Sequence, residues 1–198
     1  MPKFYQELSD EFSSLWLPRF RSLYDKVHAS QNAHHAYWKY VLHPDRIKSD
    51  YLKDFPWLTE VPTWNIDENL IIFFKNSGKD YNHIMAHKDP DNVVWSITMP
   101  LYGCDNDTVT TWLDPIENEN TYRADASKGY DDNVEMLGCD YKEIESYSFN
   151  NRAIIFRSDV WHKARTNHNR DETRVLAKLW VPNLQYEYMQ EVLGEHLL

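Results

Sequence analysis

Several residue types are scarce in this sequence, and each scarcity excludes a class of protein. Two cysteines, Cys104 and Cys139, in 198 residues are too few for a disulfide-built scaffold or a zinc ribbon, though they could pair in an oxidising compartment. Five glycines argue against long flexible tracts. Lysine and arginine total 21 against 31 acidic residues, a net charge of −10. Non-specific nucleic-acid binding needs cations against phosphates and is not expected, while RNA or a charged protein stays open as a substrate. No apolar run approaches the roughly 18 residues that span a bilayer. The opening stretch from Met1 is amphipathic and lacks the continuous apolar segment of a secretion signal. A cytoplasmic protein with no membrane partner is the expectation.

What is present is a large apolar and aromatic supply: 42% hydrophobic residues, with 8 Trp and 13 Tyr. That is enough for the core of one domain. Apolar residues recur at helical spacing from Phe4 to Val27, where Pro18 should kink or divide the helix. A second helix is expected from Pro44 to Asp54, with Pro44 at its first position, and a connector from Trp57 to Asp67. Strand-length apolar segments follow at 70–74, 83–87, 93–101 and 108–113. A polar, Asn- and Asp-rich stretch from Asp114 to Asp140 reads as a long loop. Strands resume at 144–149, 153–156, 160–164 and 174–181, and a helix is expected near the C-terminus. The expected layout is a helical section over 1–56, a β core over 69–182 and a helix over 185–198. This is a mainly β fold with flanking helices, a sandwich or jelly roll.

The informative tripeptide is His87-Lys88-Asp89, at the end of an expected strand. Residues i and i+2 of a strand project to one face, so an imidazole and a carboxylate can reach one metal ion. His162, after another strand, is the best third ligand. Two histidines and one carboxylate on one face of an octahedron leave positions open for substrate and oxygen, the arrangement of non-haem Fe(II) oxygenases. With nine histidines in the chain, the tripeptide alone reads equally well as structural. A second copy, His43-Pro44-Asp45, opens a helix and is read as structural. Arg174 begins the strand Arg174-Val175-Leu176-Ala177-Lys178-Leu179-Trp180, with Arg174, Leu176, Lys178 and Trp180 on one face. A guanidinium there can grip the far carboxylate of a dicarboxylate cosubstrate through paired hydrogen bonds. A surface arginine pairing with an acidic neighbour is the alternative.

This order of His-x-Asp, long interval, His and Arg-strand resembles the 2-oxoglutarate/Fe(II)-dependent oxygenase superfamily. The resemblance covers roughly residues 70–182. It is strongest over His87–Trp112, similar to small bacterial and phage members, and over Arg152–Trp180, similar to the closing strands of prolyl- and aspartyl-hydroxylase-type members. It implies a double-stranded β-helix (a cupin-like jelly roll), with Fe(II) on His87, Asp89 and His162. It also implies 2-oxoglutarate held by Arg174, and molecular oxygen acting on a small-molecule or peptide substrate. Hydroxylation is the default outcome. Two departures stand out: no glycine precedes Arg174, and the interval from His162 is longer than usual, so Lys178 or Arg165 is an alternative anchor.

On the strand 93–101, Ser96 and Thr98 alternate with apolar residues. Thr98 either points into the barrel toward the cosubstrate or faces solvent. His83 would share a face with His87, Tyr81 and Asn82 could flank the pocket, and Trp95, Trp112 and Trp161 read as core or pocket wall. His34, His35, His168 and His196 read as solvated. Two competing readings keep the fold. One is a metal-binding cupin without 2-oxoglutarate chemistry. The other is a non-enzymatic jelly-roll binding module.

Overall fold

Alternation of inward and outward side chains organises two antiparallel sheets. The computed structural model describes residues 4–29, 37–61, 70–77, 83–89, 94–104, 108–116, 120–123, 135–165, 174–180 and 185–198, with backbone alone at 37–39, 75–77 and 83–85. One six-stranded sheet runs β1 (Tyr5–Glu7), β10 (Ile154–Arg157), β5 (Trp95–Tyr102), β12 (Arg174–Trp180), β3 (Ile71–Ser77) and β2 (Tyr37–Leu42). The other runs β7 (Thr121–Arg123), β8 (Glu135–Leu137), β4 (His83–Lys88), β11 (His162–Arg165), β6 (Val109–Pro115) and β9 (Tyr141–Ser148). From β3 to β6, and again from β9 to β12, successive strands alternate between the sheets. That is jelly-roll topology, as expected.

β12 shows how the layers separate. All seven of its residues are buried, but its two faces pack differently. Val175, Ala177 and Leu179 join Ile97, Met99 and Leu101 of β5 under helices α1 (Asp10–Ala29) and α3 (Tyr186–Leu193) in the main core. Leu176 faces the second sheet with Ile154 and Phe156, against Trp112, Tyr147 and Phe149. Burying such a side chain contributes about 1.5–3 kcal/mol, so the strand is held from both sides. The register between β5 and β12 shifts beside Pro100, which has no N–H to offer the ladder.

Several expectations need correction. The N-terminal helix starts at Asp10, not Phe4, because residues 5–7 pair with β10. Phe4 stacks on Trp112 at 5.6 Å, and the Ser9 hydroxyl accepts from the Phe12 N–H at 3.2 Å as an N-cap. Pro18 does not divide α1. It lies on the exposed side with Ser14, where water can satisfy the carbonyl that proline leaves without a donor. The second helix is one turn, α2 (Pro44–Arg46), continuing as a π-helical stretch over Ile47–Tyr51. A 3₁₀ turn at Pro56–Glu60 occupies part of the expected connector. β2 was not expected, nor was the pairing of β7 with β8 inside the supposed loop.

His43 accepts from the Ile47 N–H at 2.9 Å through its carbonyl, in keeping with its structural reading. His196 is not simply solvated: its Nδ1 lies 3.3 Å from Ser9 Oγ and its ring meets Phe12 edge-on. No disulfide joins Cys104 and Cys139. Among the described residues no helix is long and apolar enough to cross a membrane. Tyr81, Asn82, His34, His35 and His168 lie outside the described residues, as does the His83 side chain.

Candidate metal centre

Neighbouring strands of the second sheet bring His87, Asp89 and His162 together. His162 on β11 is the register partner of His87 on β4 and of Trp112 on β6. Partners in a ladder share a face, so both imidazoles point between the sheets, with ring centroids 4.3 Å apart. Asp89 lies just beyond β4. Its N–H donates to the Ser158 carbonyl at 3.1 Å, and the Ser158 N–H donates to the Val94 carbonyl at 2.9 Å. The hydroxyls of Ser96 and Ser158 lie 3.0 Å apart. The turn between β10 and β11 therefore sets the Asp89 backbone and also leads into His162.

One ligand atom from each of the three residues can be chosen so that all lie within 4.8 Å of one another. Asp89 Oδ1 is 3.8 Å from His87 Nε2, and all three side chains are buried. His162 Nδ1 lies 2.9 Å from the Val160 carbonyl. A carbonyl only accepts, so Nδ1 carries the hydrogen and Nε2 keeps its lone pair in the neutral ring. Burial, reinforced by His87, pushes the His162 pKa well below its ordinary value. The imidazole is thus neutral near pH 7, the form that ligates metals. Two imidazole nitrogens and a carboxylate form a donor set suited to a divalent first-row metal.

His87 and His162 help line a pocket of about 340 Å³, counting its part open to solvent, together with Thr98, Thr110, Phe149, Phe156, Ala164, Arg174, Leu176 and Lys178. The charged side chains in that lining are both cations, Arg174 and Lys178, each 4% exposed. The alternation of β12 puts them on one face, as expected, and that face is the inner one. Lys178 Nζ donates to Asp89 Oδ2 at 2.5 Å. Thr98 also faces inward and is 2% exposed. Arg165 is exposed at the end of β11 and does not line the pocket.

Trp112 is wholly buried between the sheets. Trp95 packs in the main core, and Trp161 lies in a small cluster with Ala86, Leu113 and Leu137, where Lys88 Nζ sits 4.4 Å from its ring centroid. Sequence reasoning missed the contributions of Thr110, Phe156, Val160 and Ser158. Thr110 alternates with Trp112 on β6, which would have identified it. The roles of Val160 and Ser158 run through backbone carbonyls and leave no residue-type signal.

No family model matches the sequence, and no curated protein matches it. Among solved structures, the chain is similar to a prolyl-4-hydroxylase from Pseudomonas putida, at 12% identity and a TM-score of 0.43, covering 91% of this chain and 93% of that one. It is similar to a prolyl 4-hydroxylase from Phytophthora capsici at 11% identity and a TM-score of 0.45, covering 90% and 62%. It is also similar to oxalate decarboxylase from Bacillus subtilis at 8% identity and a TM-score of 0.39, covering 84% of this chain. The chain spans about a third of that decarboxylase's length, 35%. At this level the likeness assigns neither activity nor substrate to the present chain.

Proposed function

We propose that this protein is a non-haem Fe(II), 2-oxoglutarate-dependent oxygenase that hydroxylates a small-molecule or peptide substrate. One observation carries the reading: two buried imidazoles and a buried carboxylate converge beside a pocket whose charged lining is cationic. His87, Asp89 and His162 would hold the metal. When bound, iron with its cosubstrate supplies the activation of molecular oxygen.

The chain's own residues do the rest. His162 offers Nε2 because the Val160 carbonyl holds its Nδ1 hydrogen. Arg174, buried on the inner face of β12, is the anchor for the far carboxylate of 2-oxoglutarate, since a guanidinium matches a carboxylate with two parallel hydrogen bonds. The exposure of Arg165 and the engagement of Lys178 with Asp89 favour Arg174 over both alternatives. Thr98 contributes a hydroxyl on the neighbouring strand β5. Phe149, Phe156 and Leu176 supply apolar wall, which excludes water and strengthens the charge interactions inside.

Anaerobic addition of Fe(II) and then 2-oxoglutarate tests the reading. A weak visible metal-to-ligand charge-transfer band is expected, and Asp89→Ala should abolish it. Iron binding without the band would point to a metal-binding cupin. Absence of iron binding would leave the non-enzymatic jelly-roll module.

A further inference from the structure

We infer that Lys178 is a positioning residue whose ammonium holds one oxygen of Asp89, so that the carboxylate offers a metal its other oxygen alone. The inference rests on the metal reading above.

The two oxygens of Asp89 face different partners. Lys178 Nζ donates to Oδ2 at 2.5 Å, whereas Oδ1 is the oxygen nearest His87 Nε2, at 3.8 Å. The two side chains are only 6% and 1% exposed, so water is a poor substitute for either partner. Lys178 is also fixed from its other side. Its Nζ lies 4.7 Å from the Phe156 ring centroid and 5.8 Å from that of Trp180, and aromatic faces attract a cation. The Asp89 backbone is tied to Ser158. Both ends of the contact are therefore held by separate strands and turns.

The consequence lies in coordination number. A carboxylate can ligate a divalent ion through one oxygen or two. A metal held by two imidazoles and a one-oxygen carboxylate would keep half of an octahedron open. That accommodates an anion chelating through two atoms and leaves a further position. If Asp89 used both oxygens, that further position would be lost. Arg174 lies four residues before Lys178 on the same face, roughly 13 Å away along an extended strand. The two buried cations thus have separate tasks: one orients the metal-binding carboxylate, and the other meets the distant end of a bound anion.

Infrared difference spectra of Co(II)-loaded minus metal-free protein test this directly. One-oxygen ligation separates the antisymmetric and symmetric carboxylate stretches widely, and two-oxygen ligation brings them together. The wide separation is expected in the unmodified protein and in Lys178→Arg, with narrowing in Lys178→Met. Anaerobic 2-oxoglutarate affinity of Co(II)-loaded Lys178→Met should fall about tenfold, the scale seen when partners of metal ligands are removed. A narrow separation in the unmodified protein overturns the inference, and so does a Lys178→Met protein with unchanged spectrum and affinity. Should Lys178→Met fail to fold, the unmodified spectrum still decides. A protein that takes up no Co(II) defeats the metal reading itself, a result distinct from either spectrum.

Discussion

His87 and His162 are register partners on β4 and β11, with imidazole centroids 4.3 Å apart. A ladder contact thus places two nitrogen donors side by side, and Asp89 completes the set from the residue just past β4. The sheet register positions the site as much as its own side chains do.

Acid should weaken the metal-free protein through His162. Its folded pKa is held below the ordinary value of about 6.5 by burial and by His87. Below about pH 6.5 the unfolded chain takes up a proton that the native ring refuses. That contribution to stability is intact above this pH and is lost as pH falls, by at most about 1.4 kcal/mol per pH unit from this one group. Denaturant unfolding at a series of pH values measures the slope. Replacing His162 with Phe should remove this component of it.

Breaking the buried Lys178–Asp89 pair should be costly. Lys178→Met leaves a carboxylate buried without its ammonium, for which about 3–5 kcal/mol of destabilisation is typical. Chemical unfolding of the metal-free protein reads this out. The double variant Lys178→Met with Asp89→Asn should recover part of the loss, since no lone charge remains buried.

Arg174→Ala should weaken 2-oxoglutarate binding by on the order of 2 kcal/mol or more, with Fe(II) affinity largely retained. Titration of the charge-transfer band measures both. Arg165→Ala should leave the band titration unchanged, because that side chain is exposed and outside the pocket.

Trp112→Ala should destabilise the fold by about 3–5 kcal/mol. The indole is wholly buried, stacks on Phe4 and Tyr5 at 5.6 and 5.3 Å, and donates to the Arg157 carbonyl at 3.3 Å. As the β6 register partner of His162, it also packs beside the candidate metal site. Near-UV circular dichroism and thermal unfolding would show the loss.

The long strands were legible because their patterns repeat. β12 shows seven residues with two distinct faces, and β5 alternates Ser96 and Thr98 with Trp95, Ile97 and Met99. β7 and β8 were not legible, since three residues each are too few to reveal a period. β2 was missed as well. Phe4 and Leu8 fit the helical spacing of α1, yet Phe4 immediately precedes strand β1 and Leu8 forms a bridge with Leu197, because pairing of β1 with β10 and closure against Leu197 outweighed local periodicity. Among candidate site residues, His87, Asp89 and His162 were named from spacing and residue chemistry, together with a family resemblance. No pattern in the chain announced the Lys178–Asp89 contact.

Sequence alone therefore determined which residues of a strand share a face, which strands carry an imidazole or a cation, and that His87 and Asp89 are close neighbours. Those are local consequences of a two-residue repeat. Only the tertiary structure decided that His162 lies beside His87, that Arg165 stays in solvent, and that Lys178 turns to Asp89. Each of these depends on how residues far apart in the chain meet, and local alternation carries no information about such register.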